Sequence, residues 1–175
     1  MKDYKTAADG SRALKKELKE KFPEIKFSVK SKTYSMGNNI TINYNLGPVI
    51  KDVEAIANKY QEGQFDGMED IYNYNDDRSF TVKNGGAKYV FVNRKISDVI
   101  YYPLMEQYCN MVDNAEYNTA EPWNSIITYS NGSTELIIRV INRICSVTDF
   151  RKVKEFKLIS TGITCGQIEE FYKVI

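Results

Sequence analysis

Three carboxylates crowd one short segment: Phe65 to Asp70 reads Phe-Asp-Gly-Met-Glu-Asp, bringing Asp66, Glu69 and Asp70 together. Oxygen donors of this kind suit a hard cation such as magnesium, and a carboxylate-held magnesium ion is the usual engine of phosphodiester cleavage. The spacing, however, does not follow an ordered ligand loop such as that of an EF-hand. The chain also has no histidine. That removes the commonest general base, the imidazole-dependent triads and most catalytic zinc sites. A conformational reading competes. Gly63 would end a helix, Asp66-Gly67 would supply a tight return, and Phe65 and Met68 would tuck into the core. The turn is favoured, with Phe65, Asp66, Glu69 and Asp70 free to contact a partner. A metal-dependent nuclease using Asp66, Glu69 and Asp70 is the alternative.

The second chemical signal is positive charge. Ten basic residues against five acidic ones lie between Lys2 and Lys32. If a first helix packs beside a first hairpin, Arg12, Lys15, Lys16 and Lys19 join Lys26, Lys30 and Lys32 in one surface that attracts phosphate without reading sequence. Such a surface predicts DNA or RNA as a partner, against the plainer reading of a solvated lysine-rich face. Ser31, Thr33, Tyr34, Ser35, Asn38 and Asn39 would add neutral contacts. A counter-patch follows, with Asp52, Glu54, Glu62, Asp66, Glu69, Asp70, Asp76 and Asp77 in a window whose sole basic residue is Lys59. It is either the soluble side of a helix or a surface for a basic groove on another protein. Thirteen tyrosines, among them Tyr72, Tyr74 and Tyr89, and the single tryptophan, Trp123, add aromatic surface. Trp123 sits in a polar stretch and is a candidate interface anchor.

Glycine pairs do not add a nucleotide site. Gly85-Gly86 is followed by Ala-Lys-Tyr, which matches neither a phosphate-binding loop nor a dinucleotide fingerprint. No cofactor pattern is present. Cys109, Cys145 and Cys165 are singly spaced and odd in number, which predicts reduced, mostly buried thiols rather than a disulfide framework. The formal charge of +1 excludes mimicry of DNA by the molecule as a whole. No apolar run is long enough for a membrane span, and the first residues lack a signal-peptide core, so a cytoplasmic protein is expected.

The elements that must position these residues follow from periodicity. Leu14, Leu18 and Phe22 recur every fourth residue after Gly10, predicting a helix capped by Asp9 or Ser11 and stopped by Pro23. Ile25, Phe27 and Val29 alternate with Lys26, Ser28 and Lys30, then Met36 to Asn39 turns and Ile40, Ile42 and Tyr44 alternate again. Gly47-Pro48 starts a second helix, with Val49, Val53, Ile56, Ala57 and Tyr60 as its apolar stripe. Ser79–Lys83 and Lys88–Asn93 read as a second hairpin around Asn84-Gly85-Gly86. These 175 residues therefore predict an α+β fold: an antiparallel sheet of two hairpins, helices on one face, and a C-terminal helical extension. Residues 1–100 would form the α+β part. Residues 101–175 would pack on the same core, with helices from Pro103 to Val112 and Thr134 to Val147 and a last strand near 154–160.

The order of these features, from the alternating strands of Phe22–Tyr44 through Gly47-Pro48 to Gly63, Phe65, Asp66, Gly67, Met68 and Asp70, resembles the large polyvalent-protein-associated domain numbered 29 in its series. The likeness covers roughly residues 10–100. It implies a protein of phages or conjugative elements that enters a host with the invading DNA. That setting, together with the charge layout, predicts a non-enzymatic counter-defence role, anti-CRISPR or anti-restriction, by binding a host defence nuclease, nucleic acid, or both.

Overall fold

The computed structural model describes residues 5–112, 115–129, 131–149 and 151, together with strands at 156–158 and 172–174. The chain divides into two compact units, Met1–Lys95 and Ile96–Ile175.

In the first unit, helix α1 spans Ala7–Lys21. It starts earlier than its apolar spacing alone predicts, because Thr6 and Asp9 form a capping box. The Thr6 amide donates to Asp9 Oδ2 at 2.9 Å, and the Asp9 amide donates to Thr6 Oγ1 at 3.4 Å. Two orphan donors are thereby satisfied ahead of the alanines. Ser11, expected as a cap, is buried inside the helix. Leu14, Leu18 and Phe22 are buried as their spacing predicts, and the helix stops before Pro23.

Strands β1 (Ser28–Tyr34) and β2 (Gly37–Asn45) form the expected antiparallel hairpin, with Tyr34 opposite Gly37 and Ser28 opposite Asn43. The turn is therefore Ser35-Met36, and Gly37, Asn38 and Asn39 already belong to β2. Helix α2 spans Ile50–Ala57 and runs into a 3-10 turn at Asn58–Tyr60. Strands β3 (Gly63–Asp66) and β4 (Ile71–Tyr74) then make a second, separate hairpin.

The expected strand at Ser79–Lys83 is instead helix α3, Ser79–Asn84. Its alternation fits a strand, but the Asp77 carboxylate accepts the Ser79 amide at 2.8 Å, and the Phe80 ring meets Tyr60 edge-on at 5.0 Å. A local turn held by Asp77 and a core contact override a pattern of period two. Strand β5, Tyr89–Lys95, consequently has no hairpin partner and pairs parallel with β2, Ile40 opposite Val90 and Ile42 opposite Val92. The long crossover from Asn45 to Tyr89 permits this direction. The fold is α+β, as the pattern predicts, with a mixed rather than wholly antiparallel sheet in the order β1-β2-β5.

One face of that sheet carries the core. Phe27, Ile40, Ile42 and Tyr44 pack with Leu14, Leu18, Val53, Ala57 and Tyr60, with Val29, Val90 and Val92 at the margin. Where α1 meets the end of α3, backbone touches backbone. A Cβ on Gly10 would lie 2.8 Å from the Gly85 carbonyl carbon.

The second unit holds α4 (Asp98–Met111), β6 (Ala115–Glu116), β7 (Ile126–Thr128), β8 (Thr134–Leu136), α5 (Ile137–Val147), β9 (Phe156–Leu158) and β10 (Tyr172–Val174). Strands β6-β7-β8 form an antiparallel sheet, and β9 pairs with β10. Pro103 lies inside α4 instead of opening it. Residues 134–136, expected as helix, belong to β8, whose Ile126–Leu136 pairing holds them extended. The C-terminal helix, α5, buries Ile137, Val140, Ile141, Ile144 and Cys145 while Arg139, Asn142 and Arg143 are exposed. It is amphipathic. Tyr101, Leu104, Met105 and Tyr108 complete a buried cluster with it. Cys109 and Cys145 are buried thiols; Cys165 and the remainder of the expected 154–160 strand lie outside the described residues.

Candidate functional site

Four of the five basic residues of α1, Arg12, Lys15, Lys16 and Lys19, fall, at 100° per residue, within an arc of about 100° on its solvent side, while Lys21 lies outside that arc. Arg12 is partly engaged there, Nε donating to the Ala8 carbonyl at 3.2 Å and Nη2 lying 3.3 Å from Asp9. Lys16 is 3.9 Å from Glu20. Lys15 and Lys19 meet Lys26 across an open groove of about 410 Å³ floored by Pro23, Ile25 and Phe27.

Lys30 and Lys32 do not join this set. Side chains alternate across a strand, and the neighbours Val29 and Ser31 turn toward the core while both lysines are exposed. The single basic surface expected from sequence is divided by the sheet, with Arg12, Lys15, Lys16, Lys19 and Lys26 on the helix side and Lys30 and Lys32 on the far side.

That far side is open. The register places Lys32, Asn39 and Tyr89 in one row, Lys30, Thr41 and Phe91 in the next, Ser28, Asn43 and Asn93 in a third, and Asn45 with Lys95 in a fourth. Asn93 Nδ2 donates to Asn43 Oδ1 at 3.2 Å, as side chains on one face must to meet. No carboxylate stands in these rows. The Tyr89 and Phe91 rings are nearly parallel, 11° apart in plane and 6.2 Å between centroids. The series continues onto β4: Tyr72 meets Tyr89 edge-on at 5.4 Å, and Tyr74 meets Tyr72 at 4.9 Å. Phe91 is 47% exposed and Tyr74 53%.

Cations border these rings. Lys88 Nζ lies 4.8 Å from the Tyr72 centroid and 5.6 Å from that of Tyr89, and the Arg78 guanidinium is 5.0 Å from Tyr74. The Tyr72 hydroxyl donates to the Lys88 carbonyl. Burial, aided by the charge of Glu62, raises the pKa of that hydroxyl and keeps it a donor. Sequence reasoning read 88–93 as a strand and noted Tyr72, Tyr74 and Tyr89, but missed Phe91, Lys88 and Arg78. The available signal was the Tyr89-Phe91-Asn93 alternation against inward Val90 and Val92.

The acidic segment forms the tip of the β3–β4 hairpin. Asp66 Oδ1 accepts the amides of Met68 at 2.9 Å and Glu69 at 3.3 Å, so this carboxylate holds a turn. The left-handed residue is Asp70, φ 54°, rather than Gly67. Phe65 and Met68, expected in the core, are 52% and 98% exposed. They lie on the separate two-stranded β3–β4 hairpin and take no part in the buried cluster of the first unit. Among the described residues no three His, Cys, Asp or Glu side chains are grouped to hold a metal ion, so Asp66, Glu69 and Asp70 make no such set. Trp123, in a 3-10 turn of the second unit at Pro122–Asn124, is half exposed.

Among the described residues, the helix-backed sheet leaves one face, lined by aromatic rings and lysines, without a covering element. Residues 5–97 match the large polyvalent protein associated domain 29, more than half of the chain, and the protein belongs to that family. The matched span corresponds closely to the first unit. The family is associated with polyvalent proteins of phages and other mobile elements. No curated protein and no solved structure matches the chain. Among the described residues no helix is long and apolar enough to cross a membrane.

Proposed function

We propose that this chain is a mobile-element accessory protein that acts in counter-defence inside the host cell by binding nucleic acid and the nuclease that would attack it. The reading rests on the arrangement of charge in the first unit. Lys15, Lys19 and Lys26 converge on one groove, Lys30, Lys32 and Lys95 share a sheet face without carboxylates, and Asp66, Glu69 and Asp70 collect at a hairpin tip beside exposed Phe65 and Met68. Lysines in open grooves attract phosphate by counterion release. An acidic tip with apolar side chains complements the basic, DNA-binding groove of a nuclease. Binding therefore acts by occlusion and leaves covalent bonds intact.

Two measurements on the full chain test this. Fluorescence anisotropy with labelled DNA at moderate salt is expected to show binding that weakens steeply as salt rises. Co-expression with a restriction or CRISPR nuclease is expected to raise survival of an incoming plasmid or phage. A protein that binds no nucleic acid and leaves every co-expressed nuclease fully active would end the proposal.

A further inference from the structure

We infer that the open face of the β1-β2-β5 sheet, with the ring series Tyr74, Tyr72, Tyr89 and Phe91, is a track for single-stranded DNA. The inference rests on the nucleic-acid reading above and names its substrate class. Three observations converge. First, the rings form a continuous series with centroid spacings of 4.9, 5.4 and 6.2 Å, running from β4 to β5, and both ends are about half exposed. Aromatic faces of this kind take up unstacked bases, and a duplex cannot offer its base faces without opening. Second, the track is bordered by Lys30, Lys32, Lys88 and Arg78, four cations placed for the phosphates of one strand. Third, the polar residues between rings and lysines are an amide and a hydroxyl, Asn39 and Thr41, and the next row adds the hydrogen-bonded amides Asn43 and Asn93. Asparagine can both donate to and accept from base edges, and no carboxylate in the sheet rows repels the backbone.

A protein partner fits this face less well. Its central strand carries Asn39, Thr41 and Asn43 and its β1 edge carries Lys30 and Lys32, where a protein interface core is apolar and depleted in charge. The groove of Lys15, Lys19 and Lys26 lies on the helix side, so phosphate contacts there are separable from stacking on the sheet. DNA is chosen over RNA because, under the proposed function, DNA is the molecule to be guarded.

The test uses the full chain and three labelled probes of equal length: oligothymidine, a DNA duplex and oligouridine. The expected order is oligothymidine tightest. Phe91→Ala should weaken oligothymidine binding by about 5- to 150-fold, the loss of one base–ring stack, and leave duplex binding unchanged. Lys30→Ala with Lys32→Ala, both at exposed positions, should reduce the salt slope for the single strand by about 1.4; this pair decides the matter if the Phe91 variant misfolds. Lys15→Ala with Lys19→Ala should affect duplex more than single strand. Duplex bound as tightly as oligothymidine, with Phe91→Ala silent, would overturn the track and leave nucleic-acid binding standing. Tighter binding of oligouridine would overturn the choice of DNA. Loss of self-association instead of DNA binding in the Phe91 variant would make the face a dimer interface. No binding of any probe would sink the track and, with it, the nucleic-acid part of the proposed function.

Discussion

Replacing Gly85 by alanine should destabilise the first unit more than any other single methyl addition at a turn. Gly85 ends α3 with φ 88° and ψ 152°, a conformation essentially reserved for glycine. Forcing a Cβ into it costs about 1–3 kcal/mol. The new atom would also lie 2.4 Å from the Gly10 amide nitrogen and 2.4 Å from the Thr6 carbonyl oxygen. Both are backbone atoms of the first turn of α1, so no side-chain rotation relieves the clash, and separating α1 from the loop adds about 1–3 kcal/mol of overpacking. The expected loss is about 2–6 kcal/mol against a total of about 5–15 for an ordinary domain. Gly47→Ala is the comparator. It too has positive φ, 71°, but its Cβ would meet only the side chain of Ile25, the δ-methyl at 3.0 Å and Cγ1 at 3.3 Å, and no backbone atom. That variant should lose about 1–2 kcal/mol. Urea unfolding followed by far-ultraviolet circular dichroism, with the slope held constant, reads both. Equal losses for the two variants would mean that α1 does not rest on the Gly85 backbone, and the packing described for this unit would be wrong.

Other outcomes are expected. Asp66→Ala should remove the acceptor for two tip amides, speeding hydrogen exchange at residues 68 and 69 while changing global stability by about 1 kcal/mol or less; magnesium-dependent DNA cleavage abolished by Asp66→Ala and Asp70→Ala would instead establish the metal reading. In the second unit, Glu135 accepts from Arg143 at 2.7 and 3.0 Å and from the Tyr129 hydroxyl at 2.7 Å. The Arg143 bonds foremost hold its carboxyl below the ordinary 4.5. A depressed folded value means the contribution is complete above pH 4.5 and is lost as pH falls through the lower folded pKa. Glu135→Gln should flatten that part of the pH dependence of thermal unfolding, and an unchanged profile would contradict the ion pair. Burial pushes the Cys109 thiol up to about 11, so iodoacetamide should label it slowly in the native protein and rapidly in urea, resolved by peptide mass mapping. Equal labelling rates would show the thiol to be exposed.

Local elements were legible where one periodicity met one burial pattern. Leu14, Leu18 and Phe22 marked the buried stripe of α1, and Ile40, Ile42 and Tyr44 marked the inner face of β2, because side-chain direction in a helix or strand follows from position alone. Ser79–Lys83 departs from its pattern for the same reason: its alternation allows a strand, while the Asp77 turn and the Phe80–Tyr60 contact that accompany the helix involve neighbours the pattern does not name. The family, too, was legible, since the order of strands, helix and Phe-Asp-Gly-Met-Glu-Asp tip is a property of the chain read linearly.

What the chain alone determined is therefore which residue types exist and which local face each can take: lysines on the polar sides of α1 and β1, carboxylates at a tip, no imidazole anywhere. Tertiary structure decided which of them share a surface. Lys26 and Lys30 are four residues apart, yet one borders the groove at α1 and the other stands on the opposite side of the sheet. Phe91 and Lys30 are sixty-one positions apart, yet the β1-β2-β5 register puts them in one row. The physical reason is that alternation specifies only inward or outward, whereas the pairing partner and its direction arise from how the crossover between β2 and β5 packs against the core.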